Sequence, residues 1–319
     1  MPLGEFDVIA RYFSRSSARS DVLLGVGDDA ALLTPPPGQA LVAATDTLVE
    51  GRHFLAGTPA AAIGHQALAV NLSDLAAMGA EPAWALLSLS MPHSDERWID
   101  AFASGLYALA ERHGVALVGG DTVAGPLVIT VEVLGFVPPA AALRRSGAGV
   151  GDLIIVSGAP GVAAAGLEEL QAGRATFQSK DARVRRFLRA EPRLALGRAL
   201  RGFATAAMDV SDGLLGDLGK LARASGVRAC IDLERLPVAP ELAGYSLAEQ
   251  ERLVLHGGDD YELLFTLPAD HFGHIAHLAE AGGCSLRCIG SMVRGEGVEC
   301  RRDEARVDVA GKGYDHFAS

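Results

Sequence analysis

The chain has 319 residues, of which 49% are hydrophobic and 21% charged, and a net charge of −11. That length exceeds one small core and predicts two domains, and the composition excludes a disordered chain. The acid excess argues against a nucleic-acid or anionic-membrane surface, which needs a basic footprint, but not against small phosphate ligands whose charge metal ions offset.

In chain order, MPLGEFDVIARYF is acidic and lacks a long apolar stretch, so it does not read as a signal peptide, and no later run approaches bilayer-spanning length. A cytoplasmic protein is expected. GVGDDAALL (25–33) sets Asp28 and Asp29 between glycines and an apolar run. A turn is the plain reading, since Gly tolerates positive φ and Asp bonds its own backbone; a turn that presents a metal ligand is the other. ALVAATDT reads as a strand ending in an acid, Asp46. PAAAIGHQALAVNLSDLAAMGAEP reads as an Ala-rich helix stopped by Gly79. Helical spacing puts Ala67, Val70, Asn71, Asp74, Ala77 and Met78 on one face, so Asp74 falls on the apolar stripe and needs a partner, a metal ion or a distant Arg.

VALVGGDT predicts a second strand ending in an acid, Asp121. The Pro- and Gly-rich GFVPPAAALRRSGAGVGD marks the domain boundary, giving domains 1–139 and 140–319. TAAMDVSDG carries Asp209 and Asp212, and LHGGDDYELLF carries Asp259 and Asp260 before another apolar run. Repeated acids at strand ends suggest that the ends converge on one ligand, as in α/β proteins. Without Asp28, Asp29, Asp46, Asp74, Asp121, Asp209, Asp212, Asp259 and Asp260, the 39 acids become 30 against 28 Lys and Arg. Such a cluster needs cations to stay ionised, and oxygen-only donors select Mg²⁺, Mn²⁺ or Ca²⁺. Mg²⁺ takes one or two carboxylates plus substrate phosphates, so several ions and a polyphosphate such as ATP are implied.

The nucleotide mode is not a familiar one. No G-x-x-x-x-G-K-[ST], H-R-D or D-F-G occurs, the three lysines are Lys180, Lys220 and Lys312, and GAGVGD precedes its strand rather than following one. Cys230, Cys284, Cys288 and Cys300 form no C-x-x-C pair and read as reduced thiols, not a zinc site.

Together GVGDDAALL, ATDTLVEGRHF, AVNLSDLAAMGAEP, GGDT, RSGAGVGD, DVSDGLLGDL, GGDDYELLFT and GKGYDHF resemble the thiamine-monophosphate kinase family, in order and over nearly the whole chain. The resemblance implies an α/β (α+β) fold of two domains, as in aminoimidazole ribonucleotide synthetase, with a homodimer paired through the N-terminal domains and an active site in the interdomain cleft. It implies transfer of the ATP γ-phosphate to thiamine monophosphate. It further implies Asp29, Thr45, Asp46, Asp74, Asp121, Asp209 and Asp212 as Mg²⁺ ligands. Gly120, Asp121, Arg145 and Ser211 become ATP contacts, and His53, Asp259 and Tyr314 contacts to the thiamine phosphate. No general base is implied, because the acceptor phosphate is already an anion. Two positions depart from the family pattern: Ala44, where some relatives carry a hydroxyl, and Asp259, where many carry Glu. Plainer roles exist for His53 (a surface polar residue), Arg145 (flanking a linker) and Tyr314 (C-terminal packing). Two rivals are another ATP-using enzyme of the superfamily and a non-catalytic nucleotide sensor. The absence of an N-terminal or C-terminal reactive cysteine disfavours the first, and the retained aspartates the second.

Overall fold

The protein is described by a computed structural model for residues 3–15 and 17–309. It forms two compact units, one of residues up to Leu75 with Ala80–Ala140, the other of Ala76–Gly79 with residues from Ala141 on. In the first unit α1 (Glu5–Val8) runs into a π-helical turn that buries Tyr12 and Phe13. A small ribbon, β1 (Val22–Leu24) and β2 (Leu32–Leu33), brackets the GVGDD loop. Then come β3 (Ala40–Val49), α2 (Ala60–Ala77), β4 (Glu81–Met91), α3 (Glu96–Arg112), β5 (Ala116–Ala124) and β6 (Val128–Val137). The four-stranded sheet has the order β3-β6-β4-β5, antiparallel except for β4 beside β5. Side-chain alternation buries Leu87, Leu89, Ile129, Val131 and Val133 on one face, at most 4% exposed, while on the other face Trp84, Ala116 and Phe136 are buried against Val22, Ala31 and Leu33. Trp84 packs edge-on to Phe136 at 5.0 Å and donates from its indole to Asp21, which Arg19 also grips through two nitrogens, so the segment entering β1 is fixed.

In the second unit β7 (Leu153–Ser157), α4 (Val162–Gln171), α5 (Ala182–Leu188), α6 (Leu194–Ala199), β8 (Ala206–Val210), α7 (Leu214–Ser225) and β9 (Arg228–Asp232) are followed by α8 (Leu247–His256), β10 (Glu262–Leu267), α9 (Ile275–Gly282), β11 (Leu286–Val293), β12 (Gly297–Arg302) and β13 (Ala305–Val307). Its seven-stranded sheet runs β13-β12-β9-β11-β7-β10-β8, and only β12 beside β9 is parallel. Ile154, Val156, Met208, Val210 and Leu264 pack against α7 and α8 through Leu214, Leu218, Leu253 and Val254, all nearly unexposed. No described helix is long and apolar enough to cross a membrane. The four cysteines are free, with Cys230 and Cys300 buried.

Two expectations change. The strands do not stop at their acids: β3 continues to Val49 past Asp46, and β5 to Ala124 past Asp121. Strand residues alternate faces, so an acid fits inside a strand wherever its side chain reaches solvent. The α2 helix is also not amphipathic. From Leu68 to Ala77 every residue is buried except Asp74, which is half-buried, so Asp74 marks an opening in an otherwise enclosed helix and not one side of a striped one.

Candidate active site

In the first unit the GVGDD loop is a turn whose acids differ. Asp28 Oδ1 accepts the Asp29 amide at 2.8 Å, a local bond that shapes the turn. Asp29 itself is exposed. The loop meets β5: Val26 lines a small cavity of about 30 Å³ with Leu87, Gly119, Gly120, Asp121 and Thr122. Gly120 is required there, with φ at +145° and a Cβ that would stand 1.8 Å from the Leu87 carbonyl. Asp121 is exposed, and its Oδ1 accepts the Thr122 amide at 2.9 Å. Thr45 and Asp46 lie on β3, both exposed, with Thr45 Oγ1 donating to the Val131 carbonyl. His53 sits in the turn after β3, where its Nδ1 accepts the Val49 amide at 3.0 Å; the neutral ring then carries its proton on Nε2. Near Asp74, Asn71 is fully buried and its Oδ1 has no hydrogen-bond partner.

Register decides which of these meet. Asp46 shares its row with Val131, Leu87 and Gly120, whereas Asp121 shares the next with Ser88, Thr130 and Thr47. Adjacent rows face opposite sides of a sheet. Asp46 and Asp121 thus sit on opposite faces and on opposite edge strands, three strand spacings or about 14 Å apart. The structure does not bring these two side chains into one ligand set.

In the second unit two motifs are neighbours by pairing: Asp209 of β8 lies opposite Leu263 of β10, and Val210 opposite Glu262. Beyond the strand ends, the Ser211 carbonyl accepts the Asp259 amide and the Val210 carbonyl accepts that of Tyr261, both at 3.0 Å. These bonds hold Asp259 and Tyr261 at φ of 65° and 52°, a left-handed conformation that costs about 1 kcal/mol or more at each non-glycine residue. Burial, with the neighbouring Asp212 charge, pushes the Asp259 carboxyl up to about 6. Asp260 points elsewhere. It is fully buried and caps α4, accepting the amides of Gly161 at 2.5 Å and Ala163 at 3.2 Å, and burial pushes it up to about 7. Its place among the nine candidate ligands is corrected to a helix cap. Arg145 is exposed, and its carbonyl accepts the Ser225 hydroxyl at the end of α7. Tyr314 and the GKGYDHF motif lie outside the described residues.

Sequence reasoning missed what supports these loops. Asp217, unexposed in the first turn of α7, accepts the amides of Ser211 and Asp212 at 3.0 Å each. Lys220 Nζ bridges Asp212 Oδ2 at 2.5 Å and Asp217 Oδ1 at 2.8 Å. Buried Glu262 accepts from Arg186, from Nε and Nη2 of Arg193 and from the Ser157 hydroxyl. The acid three residues before a lysine just after DVSDG was a readable signal for the first; nothing local pairs Glu262 with arginines some 70 positions away.

Among the described residues no three acid, His or Cys side chains stand together as a ready metal cage. The donors still suit Mg²⁺, which needs only one or two carboxylates when phosphate oxygens and water complete its shell. Asp212 is paired with the Lys220 ammonium and keeps about a third of its side chain exposed.

The family model described as AIR synthase related protein, N-terminal domain matches residues 27–137, and that for the C-terminal domain matches 149–303. The chain is similar to the thiamine-monophosphate kinases of Escherichia coli strain K12, at 48% identity over all of both chains, and Haemophilus influenzae, at 39% over 99% of both. Among solved structures it resembles the thiamine-monophosphate kinase of Stenotrophomonas maltophilia K279a, with TM-score 0.86, 47% identity and 90% and 93% of the two chains covered. A structure described as AaThiL complexed with AMPPCP and TMP gives TM-score 0.78 and 33% identity over 89% of each chain. A hydrogenase maturation protein HypE in complex with ATP, 19% identical over 96% and 94% of the chains with TM-score 0.76, shares the fold.

Proposed function

The chain belongs to the thiamine-monophosphate kinase family, and from that premise we propose that it transfers the γ-phosphate of ATP to thiamine monophosphate with Mg²⁺, giving thiamine diphosphate and ADP. The observation that carries this reading is the 48% identity to a thiamine-monophosphate kinase over the full length of both chains.

The acceptor is a phosphate monoester, already anionic at neutral pH, so no base is needed to activate it. The obstacle is repulsion between two polyanions, and catalysis is mostly positioning and charge stabilisation. Bound Mg²⁺ would neutralise and align the phosphates for in-line attack. In this reading Asp29, Thr45, Asp46, Asp74, Asp121, Asp209 and Asp212 hold the ions. With Asp46 and Asp121 on opposite faces, they serve different ions, each completed by phosphate oxygens and water. Gly120, Asp121, Ser211 and Arg145 contact ATP. His53 donates from Nε2 to the acceptor phosphate. Asp259 and Tyr314 face the cationic thiazolium through charge pairing and cation–π contact. The same reading makes the protein a cytoplasmic homodimer paired through its N-terminal half; Leu41 and Val123, about half exposed on the Trp84 face of the four-stranded sheet, support it.

Incubation with ATP and Mg²⁺ and either thiamine monophosphate or free thiamine tests the assignment. Thiamine diphosphate should form from the monophosphate. Equal or faster turnover of free thiamine overturns it.

A further inference from the structure

Lys220 already places a positive charge where the proposed reading needs one. It is one of three lysines in the chain and follows Asp217 by three positions on α7. Its two carboxylate partners are unequal. Asp217 is fully buried, and its Oδ2 is fixed by the amides of Ser211 and Asp212; Asp212 keeps about a third of its side chain exposed. An ordinary surface ion pair has two mobile ends and little net effect. Here one end is immobile, so the ammonium is delivered to Asp212 at little further ordering cost.

We infer that Lys220 is a positioning residue, a tethered counter-ion that neutralises and orients Asp212 when no divalent cation is bound and yields that carboxylate, keeping Asp217, when Mg²⁺ arrives. This rests on Asp212 serving as a metal ligand. Ammonium and Mg²⁺ compete for the same oxygens, so metal affinity reflects exchange of one cation for another. The counter-ion also relieves repulsion between Asp212 and its neighbour Asp259. Lys220 thereby sets how much Mg²⁺ the protein needs.

Calorimetric titration of Mg²⁺ into the nucleotide-free protein tests this. Lys220→Gln removes the competitor, and the Kd should fall about threefold or more. Asp217→Asn keeps an oxygen for the two amides but cuts the tether's charge and leaves Lys220 to Asp212 alone; the Kd should rise. A lysine that merely held the loop together would weaken binding in both variants. The wild-type protein supplies a check independent of any folding defect. With an acylating reagent and peptide mass spectrometry, Mg²⁺ should raise labelling of Lys220 relative to Lys180. Unchanged or reduced labelling, or a folded Lys220→Gln protein that binds Mg²⁺ no more tightly than wild type, overturns the inference. Neither measurement contains ATP or a thiamine phosphate, so this inference and the choice of acceptor fail separately.

Discussion

In the four-stranded half Asp28, Asp29, Asp46 and Asp121 are exposed, whereas in the seven-stranded half Asp217 and Asp260 are unexposed. An exposed carboxylate costs folding almost nothing, so Asp28 and Asp121 can accept a neighbouring amide and still present an oxygen to solvent. A buried carboxylate must be hydrogen-bonded or paired to be tolerated at all. Asp217 and Asp260 meet that demand by fixing amides of a loop and of a helix terminus. Similar sequence signals thus divide into acids that face solvent and acids that fix backbone amides inside the fold.

The sharpest way to break that division is to neutralise the exposed acids. Asp46→Asn and Asp121→Asn should each cut turnover about a hundredfold or more, while melting temperature in EDTA stays at the wild-type value or rises. Turnover and melting of the purified variants measure both. A melting temperature that collapsed without metal would make these acids structural and erase the contrast between the halves.

The sequence made the α2 helix, its stop at Gly79 and the strands around Asp46, Asp121 and Asp209 legible, because each rests on local patterning. It did not show that Asp46 and Asp121 face opposite ways. That depends on register across β6 and β4, set by contacts between segments far apart in sequence. Nor did it separate Asp259 from Asp260. Adjacent identical residues give one signal, and only the left-handed backbone at Asp259 sends one carboxylate to α4 and leaves the other beside Asp212.

Asp260 tests the buried half directly. Asp260→Ala removes the cap from α4 and should cost about 1–2 kcal/mol in chemical denaturation. The pH dependence follows from the raised carboxyls. Asp260 near 7 and Asp259 near 6 lie above the ordinary value near 4, so the folded protein keeps protons that the unfolded chain releases. Their contribution makes stability fall as pH rises from about 4 to about 7 and level off above that. Asp260→Asn cannot ionise, so the drop in melting temperature across this window should shrink. An undiminished drop would assign the slope to other groups.

The adjacent pair in the GVGDD loop sharpens the comparison within the exposed half. Asp28 has a local task that Asn performs as well, since an amide oxygen accepts the Asp29 N–H as a carboxylate does. Asp28→Asn should therefore change the rate by less than about threefold, a margin typical of exposed charges near but not on a ligand. Asp29 lies exposed beside the loop's approach to Gly120 and Asp121. If it holds an ion, Asp29→Asn should cut the rate by about tenfold or more and raise the Mg²⁺ concentration for half-maximal rate. The two variants carry the same change of charge one residue apart, so long-range electrostatics and net charge cancel between them. What remains is position: whether the second acid, and not the first, faces the phosphates. Rates across a Mg²⁺ titration decide it, and superimposable curves for Asp29→Asn and wild type would reduce this loop to a turn.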